Sequence, residues 1–198
     1  MAMKVTYRFG GYAIQAETGS LLALLCSQLR VEFPDLVMRR KRDVWYQYIA
    51  HVFIVIFTLG FNRRYFEYTT TGPNVIDISD TAHARICAGS HSDRIWELLM
   101  HERVHLRQFR DRGKAVMVLD WLFPPTIRCY GRAKRIELPA YLVSLQCKFR
   151  TDREWAESKE YREWWIGQFT GPGYGWSWTK RSDVEKWFDD ELKQLQGD

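Results

Sequence analysis

The chain has 198 residues, 46% of them hydrophobic and 15% aromatic, with nine Trp. That length suits one domain with room for two lobes around a cleft, and the apolar content excludes a disordered chain or one held together mainly by cross-links. The formal net charge of +5 is modest and no nucleic-acid-binding motif accompanies it, which argues against a dedicated nucleic-acid binder.

From the N-terminus, residues 3–9 (MKVTYRF) alternate and are rich in Val, Tyr and Phe, predicting a short strand ended by Gly10-Gly11. No uninterrupted apolar core follows the first basic residues, so no secretory signal is read. The expected location is cytoplasmic, with signal-independent export left open. Thr18 is the expected N-cap of a helix over 20–31, whose apolar stripe runs through Leu21, Leu22, Leu25 and Leu29 and which Pro34 breaks. The densest basic cluster, Arg39-Arg40-Lys41-Arg42, reads as a solvated turn or helix start in preference to a polyanion site.

Residues 44–61 (VWYQYIAHVFIVIFTLGF) are almost wholly apolar between basic flanks. Their uninterrupted apolar core, 52–57, is far shorter than the ~20 residues of a membrane span, so a core helix or a helix followed by a strand is expected, with His51 a satisfied core histidine. Residues 63–70 and 74–79 predict a hairpin around Thr71-Gly72-Pro73. The second of these is either an ordinary paired strand or an exposed edge to which an extended peptide adds. Residues 80–91 are expected as a polar loop with His83 and His91 in solvent. The four cysteines, Cys26, Cys87, Cys129 and Cys147, are widely spaced with no C-x-x-C pair, which fits a reducing compartment and not a ribbon-type zinc site.

Residues 92–113 (SDRIWELLMHERVHLRQFRDRG) carry His101-Glu102-Arg103-Val104-His105, an H-E-x-x-H pattern. A helix is predicted here. Ser92 is the expected cap, Asp93 and Glu97 place negative charge near the start, and Arg107, Arg110 and Arg112 precede the stop at Gly113. Ile95, Leu98, Leu99 and Leu106 form its apolar side. Residues four apart lie on one helical face, so His101 and His105 can hold one zinc ion while Glu102 beside them takes a proton from water. Gln108 shares the face of His105 and is placed to orient a ligand or shape the cleft.

Residues 115–123 are apolar and predicted helical up to Pro124-Pro125, and 131–146 (GRAKRIELPAYLVSLQ) form the next informative stretch. Two histidines leave a catalytic zinc in need of a third protein ligand. Glu137 is the best candidate, against the alternative of a surface carboxylate paired with Arg132 or Arg135. H-E-x-x-H followed by Glu137-Leu138-Pro139-Ala140-Tyr141 (E-x-x-A-Y) resembles the gluzincin group of zincin metallopeptidases in its small, minimal form, and Thr69 to Gly72 (TTTG) and Gln108 fit that pattern. The resemblance spans residues 63–146 and leaves both ends weakly matched.

It implies one zinc held by His101, His105 and Glu137, with Glu102 as general base. It also implies a zincin-like α+β fold: an N-terminal lobe of about residues 1–113 with a small sheet, and a helical C-terminal lobe of about 114–198, around a cleft. Pro139 departs from the pattern. It is tolerated in a helix's first turn and kinks an interior, so Glu137 must lie at a helix start or a bend.

Beyond this, Thr151 with Glu154 predicts a capping box opening a Trp-rich helix to Phe169, and Ser182 with Glu185 caps a final helix. Between them 170–178 (TGPGYGWSW) is a glycine-broken aromatic loop. Tyr174 within it is a candidate oxyanion donor, with Tyr141 behind it; the alternative is a loop that packs its aromatics on the core. The expected substrate is a peptide or protein. Two other classes stay open: a catalytically silent or latent zinc protein, and a membrane- or nucleic-acid-associated protein in which the histidine pattern is incidental.

Overall fold

The computed structural model describes residues 3–57, 65–90, 92–117, 133–171 and 179–197. Strand β1 (Lys4–Phe9) turns at Gly10-Gly11 and returns as β2 (Tyr12–Glu17), pairing Phe9 with Tyr12 and Lys4 with Glu17. The glycines therefore make a hairpin instead of ending a lone strand, and Gly10 takes a left-handed φ of +63° that suits a residue without Cβ. Helix α1 (Leu21–Glu32) starts after Ser20, whose side chain accepts from the Ala23 amide at 3.1 Å. A cap must sit immediately before the first helical residue, which leaves Thr18 too early. Its amide and hydroxyl instead donate to the Met3 carbonyl and close the hairpin.

Strand β3 (Val37–Arg40) joins β4 (Thr70–Gly72) and β5 (Val75–Ile78) in a sheet of order β3-β5-β4, with β3 parallel and β4 antiparallel to β5. This revises two expectations. Arg39 and Arg40 end β3 and Lys41–Asp43 form a 3-10 turn before the next helix, so the helix-start alternative holds for the second half, but the cluster is not simply solvated: Arg39 binds Asp77 at 2.6 Å, and Arg40 and Arg42 both bind Asp80. Lys41 is fully buried, its ammonium donating to the Tyr65 and Tyr68 carbonyls at 2.9 Å each. Residues 74–79, read as a possible edge, hold the central strand. The edge is β4, and the turn between them is Pro73-Asn74, with Asn74 at φ +56°. Tyr65–Glu67 form a 3-10 turn where a strand was predicted.

Helix α2 (Trp45–Phe57) is not a core helix. Gln47 is buried and His51 stacks on Tyr65, with its Nδ1 lacking a hydrogen-bond partner among the described residues. Trp45, Ile49, Val52, Phe53 and Ile56 remain exposed, Trp45 by 74%. An all-round apolar helix does not say which side its neighbours will cover, and here they cover one side only. Residues 58–61 of that stretch lie outside the described residues. Among the described residues no helix is long and apolar enough to cross a membrane.

The expected loop over 80–91 is largely helix α3 (Asp80–Ala88), capped by Ser79 and ended by Gly89 at φ +61°. His83 is half-buried against the Tyr12 hydroxyl at 2.7 Å, and His91 lies outside the described residues. Helix α4 (Ser92–Arg112) includes Ser92 as its first residue and stops at Gly113, φ +83°. Of the predicted helix over 115–123, residues up to 117 are helical and the rest lie outside the described set.

A π-helical turn (Ala133–Glu137) leads into α5 (Leu138–Thr151), followed by α6 (Arg153–Ala156), α7 (Lys159–Thr170) and α8 (Arg181–Gly197). The predicted caps shift here. Thr151 ends α5 and bonds back to the Cys147 carbonyl, so Asp152 and Ser158 cap α6 and α7 as two helices in place of one. Ser182 lies inside α8.

Among the described residues two large apolar clusters result, with a small third of Phe109, Met117 and Ile136. One gathers the hairpin, α1, β3, β5, α3 and the inner face of α4 around Leu29, Ile76, Ile78 and Leu99, each at 0% exposure. The other gathers α5 to α8 around Trp165, Ile166 and Val184. Helices α4 and α5 pack against each other where the clusters meet, and Cys147 of α5 belongs to the first.

Candidate metal centre

The α4–α5 contact carries a row of polar cross-links. Lys148 binds Glu97 at 3.2 Å, the Nδ1 of His101 lies 3.1 Å from the Ser144 hydroxyl, and Nε2 of His105 lies 3.7 Å from a Glu137 oxygen. The pairs run in opposite directions along the two helices, as antiparallel packing requires. The π turn places Glu137 at the start of α5, with Pro139 inside the first α-helical turn, where its missing N–H breaks no bond. The proline and the position of the carboxylate are thus one local solution. Glu137 is 4% exposed and so is no surface carboxylate.

The surrounding bonds fix which histidine atoms face inward. Gln108 donates its amide N–H to the Ile136 carbonyl at 3.0 Å, so its side-chain oxygen points to His105 Nδ1 at 2.9 Å. Nδ1 must then carry the proton, leaving the Nε2 lone pair turned toward His101 and Glu137. His101 has its Nδ1 on Ser144, while its Nε2 lies 3.3 Å from that of His105. Burial, and then the neighbouring His105, push the His101 pKa well below its ordinary value, which keeps it a neutral imidazole.

Two histidine Nε2 atoms and a carboxylate thus converge, and one ligand atom from each of His101, His105 and Glu137 lies within 4.8 Å of the others. Ligands about 2.0–2.1 Å from a tetrahedral zinc ion stand roughly 3.3–3.4 Å apart, close to the observed 3.3 and 3.7 Å. The donor types and these two separations suit such an ion.

Glu102 is buried on the same helix, and the Thr71 hydroxyl of β4 donates to one of its oxygens at 2.6 Å. Burial raises its pKa and is opposed by His105 and by the Thr71 bond. Tyr141, one turn after Glu137, sets its ring edge-on to His101 at 5.0 Å and is 7% exposed. Tyr174 lies outside the described residues. A cleft of about 1070 Å³ opens over these groups, walled by Trp45, Ile49 and Phe53 of α2 on one side and by Trp155 and Trp164 on the other.

Thr71 and Ser144 were not singled out from the sequence. Ser144 had a signal, since Glu137, Tyr141 and Ser144 follow helical spacing on one face. Thr71 appeared only within the TTTG stretch and as an expected turn residue, and nothing in the sequence tied it to Glu102, 31 residues on. No protein-family model matches the chain, and no curated protein or solved structure matches it either.

Proposed function

We propose that the chain is a zinc-dependent metallopeptidase, with His101, His105 and Glu137 as metal ligands and Glu102 as general base. The observation that carries this reading is the convergence of two histidine Nε2 atoms, each ring held through its Nδ1, and one buried carboxylate, beside a second buried carboxylate that is not part of the triplet. A zinc ion held there would lower the pKa of a coordinated water toward ~7 and polarise a peptide carbonyl.

The chain's own residues supply the remaining steps. Glu102, its rotamer fixed by Thr71, accepts a proton from the attacking water and returns it to the leaving amine. A pKa raised by burial brings the carboxylate closer to the range where it can do both. An extended substrate has β4 to pair with, since its outer edge carries no strand among the described residues and Thr71 ties it to Glu102. Gln108 holds His105 in the metal-binding tautomer, and Ser144 holds the ring of His101 in place.

Zinc content by mass spectrometry and cleavage of an unfolded protein substrate test the assignment together. Glu102→Gln is expected to keep one zinc per chain and lose about 10²- to 10⁴-fold in rate. His105→Ala is expected to lose both metal and activity. Wild-type cleavage by Glu102→Gln, or cleavage by a chain that binds no zinc, would overturn the reading.

A further inference from the structure

The cleft extends past His101 toward the start of α4, where its lining changes character. Arg94 and Glu97 of α4, Lys148 of α5 and Arg85 of α3 all face this end. Glu97 and Lys148 satisfy each other at 3.2 Å, with side chains 19% and 14% exposed. Arg85 and Arg94 have no carboxylate at ion-pair distance among the described residues, whereas Arg103, Arg107, Arg162 and Arg181 are each bound to Glu or Asp. Arg94 acts on Glu97, which Lys148 already binds, so among the described residues here Arg85, Arg94 and Lys148 share one carboxylate in a cleft also lined by Trp155, Tyr161 and Trp164, and apolar walls concentrate the field of like charges.

We propose that this end of the cleft is a carboxylate subsite formed by Arg85 and Arg94, so that preferred substrates are peptides presenting a carboxylate a few residues from the scissile bond. The inference rests on the peptidase reading for its substrate, though not for its charge preference. Arg94 precedes His101 by seven residues, about 10 Å along a helix, which an extended peptide covers in roughly three residues. Guanidinium forks match carboxylates in pairs of hydrogen bonds, and Glu97 neutralises Lys148 without reaching across to both arginines. The carboxylate has two sources, an acidic side chain or the peptide's own C-terminus.

The test uses full-length, zinc-loaded Glu102→Gln chain and fluorescence anisotropy of dye-labelled peptides that share an apolar core. They carry Glu, Gln or Lys three residues to either side of the central bond, each with a free-acid or amidated C-terminus. Glu over Gln, or free acid over amide, is expected to tighten binding roughly threefold to tenfold, with Lys weakest. Which pair shows the difference identifies the source. The double variant Arg85→Glu/Arg94→Glu should reverse the order, and Arg94→Gln, at an exposed position that leaves the fold intact, should flatten it. Binding that ignores charge, a preference that survives the double reversal, or no peptide binding at all would each overturn the subsite. Cleavage of the same peptides by the wild-type chain is scored separately. Charge-selective binding without cleavage would sink the peptidase and leave the subsite standing.

Discussion

Helices α2 and α4 border the same cleft but are held in place differently. None of the 13 residues of α2 is charged, yet Trp45, Val52, Phe53 and Ile56 are each more than half exposed. The 21 residues of α4 are dense in charge, yet Leu99 is 0% exposed, Ile95, Trp96 and Leu106 are buried in the same cluster, and Phe109 is buried against Met117 and Ile136. Apolar residues at helical spacing give α4 one face that must go inward, and its charges then settle on the others. In α2 the side that packs on Tyr65 and Phe66 carries Gln47 and His51, and the apolar Trp45, Ile49, Val52, Phe53 and Ile56 are left as cleft wall or open surface. Mean apolarity, then, is a poor guide to burial; the direction of the apolar face decides it.

The largest contrast between the two helices should appear in stability. Leu99→Ala empties a fully enclosed position on the helix that carries His101 and His105, and a loss of about 2–5 kcal/mol is expected, read from the denaturant midpoint. A loss below about 1 kcal/mol would mean that α4 is not the structural centre of the first cluster. Next comes Gln108→Ala, which removes the acceptor on His105 Nδ1 and the tie from α4 to the Ile136 carbonyl. Zinc affinity is expected to fall roughly 10- to 100-fold by competitive titration, with little change in helix content. An unchanged affinity would show that the tautomer does not depend on this bond.

The same contrast explains what the sequence made legible. His101 and His105 could be read because both lie within one helical turn and the helix around them signals its own ends. Glu137 could be read less directly, through a helix brought back across α4, and Pro139 rightly required it to sit at a helix start. The fate of Arg39 to Arg42 could not be read. Arg39 and Arg42 find their carboxylates 38 residues on, at Asp77 and Asp80, and Lys41 finds two backbone carbonyls that no composition reveals. Likewise β5 alternates like any strand, and whether it is central or an edge depends on β3, four residues that carry Arg at half of their positions.

Helix α4 is also fixed by charge, in a way α2 is not. Arg103, Arg107 and Arg110 all reach Glu32 at the end of α1, the first two at 2.6 Å. The Arg107 hydrogen bond, with Arg103 beside it, holds the Glu32 carboxyl down at about 2. A carboxylate with a lowered folded-state pKa adds stability above its unfolded value near 4.5 and loses that contribution as pH falls from there toward about 2. Discounted for solvent screening of partly exposed partners, the contribution is about 1–2 kcal/mol. Glu32→Gln should therefore be less stable than wild type by that amount at pH 7, with the two denaturation midpoints converging as pH approaches 2. A constant difference across that window would assign the effect to packing and not to the ion cluster.

The smallest expected effect is the most informative about α2. Val52 is 55% exposed and Ile56 62%, one turn apart, and neither is among the residues that line the cleft. Burial accounts for nearly all of the worth of an apolar side chain, and these have little to lose. Val52→Thr keeps the β-branched shape and changes only polarity, so it should leave the denaturant midpoint within about 0.5 kcal/mol of wild type. Phe53→Ser, on the cleft wall one residue away and 56% exposed, should be as mild for stability while weakening the binding of a peptide with an apolar core. Equal effects of the two on binding would mean that the wall of the cleft is not where α2 meets its ligand. A Val52→Thr loss well above 1 kcal/mol would mean that this position is covered in the folded chain, which would bring α2 back under the rule that governs α4.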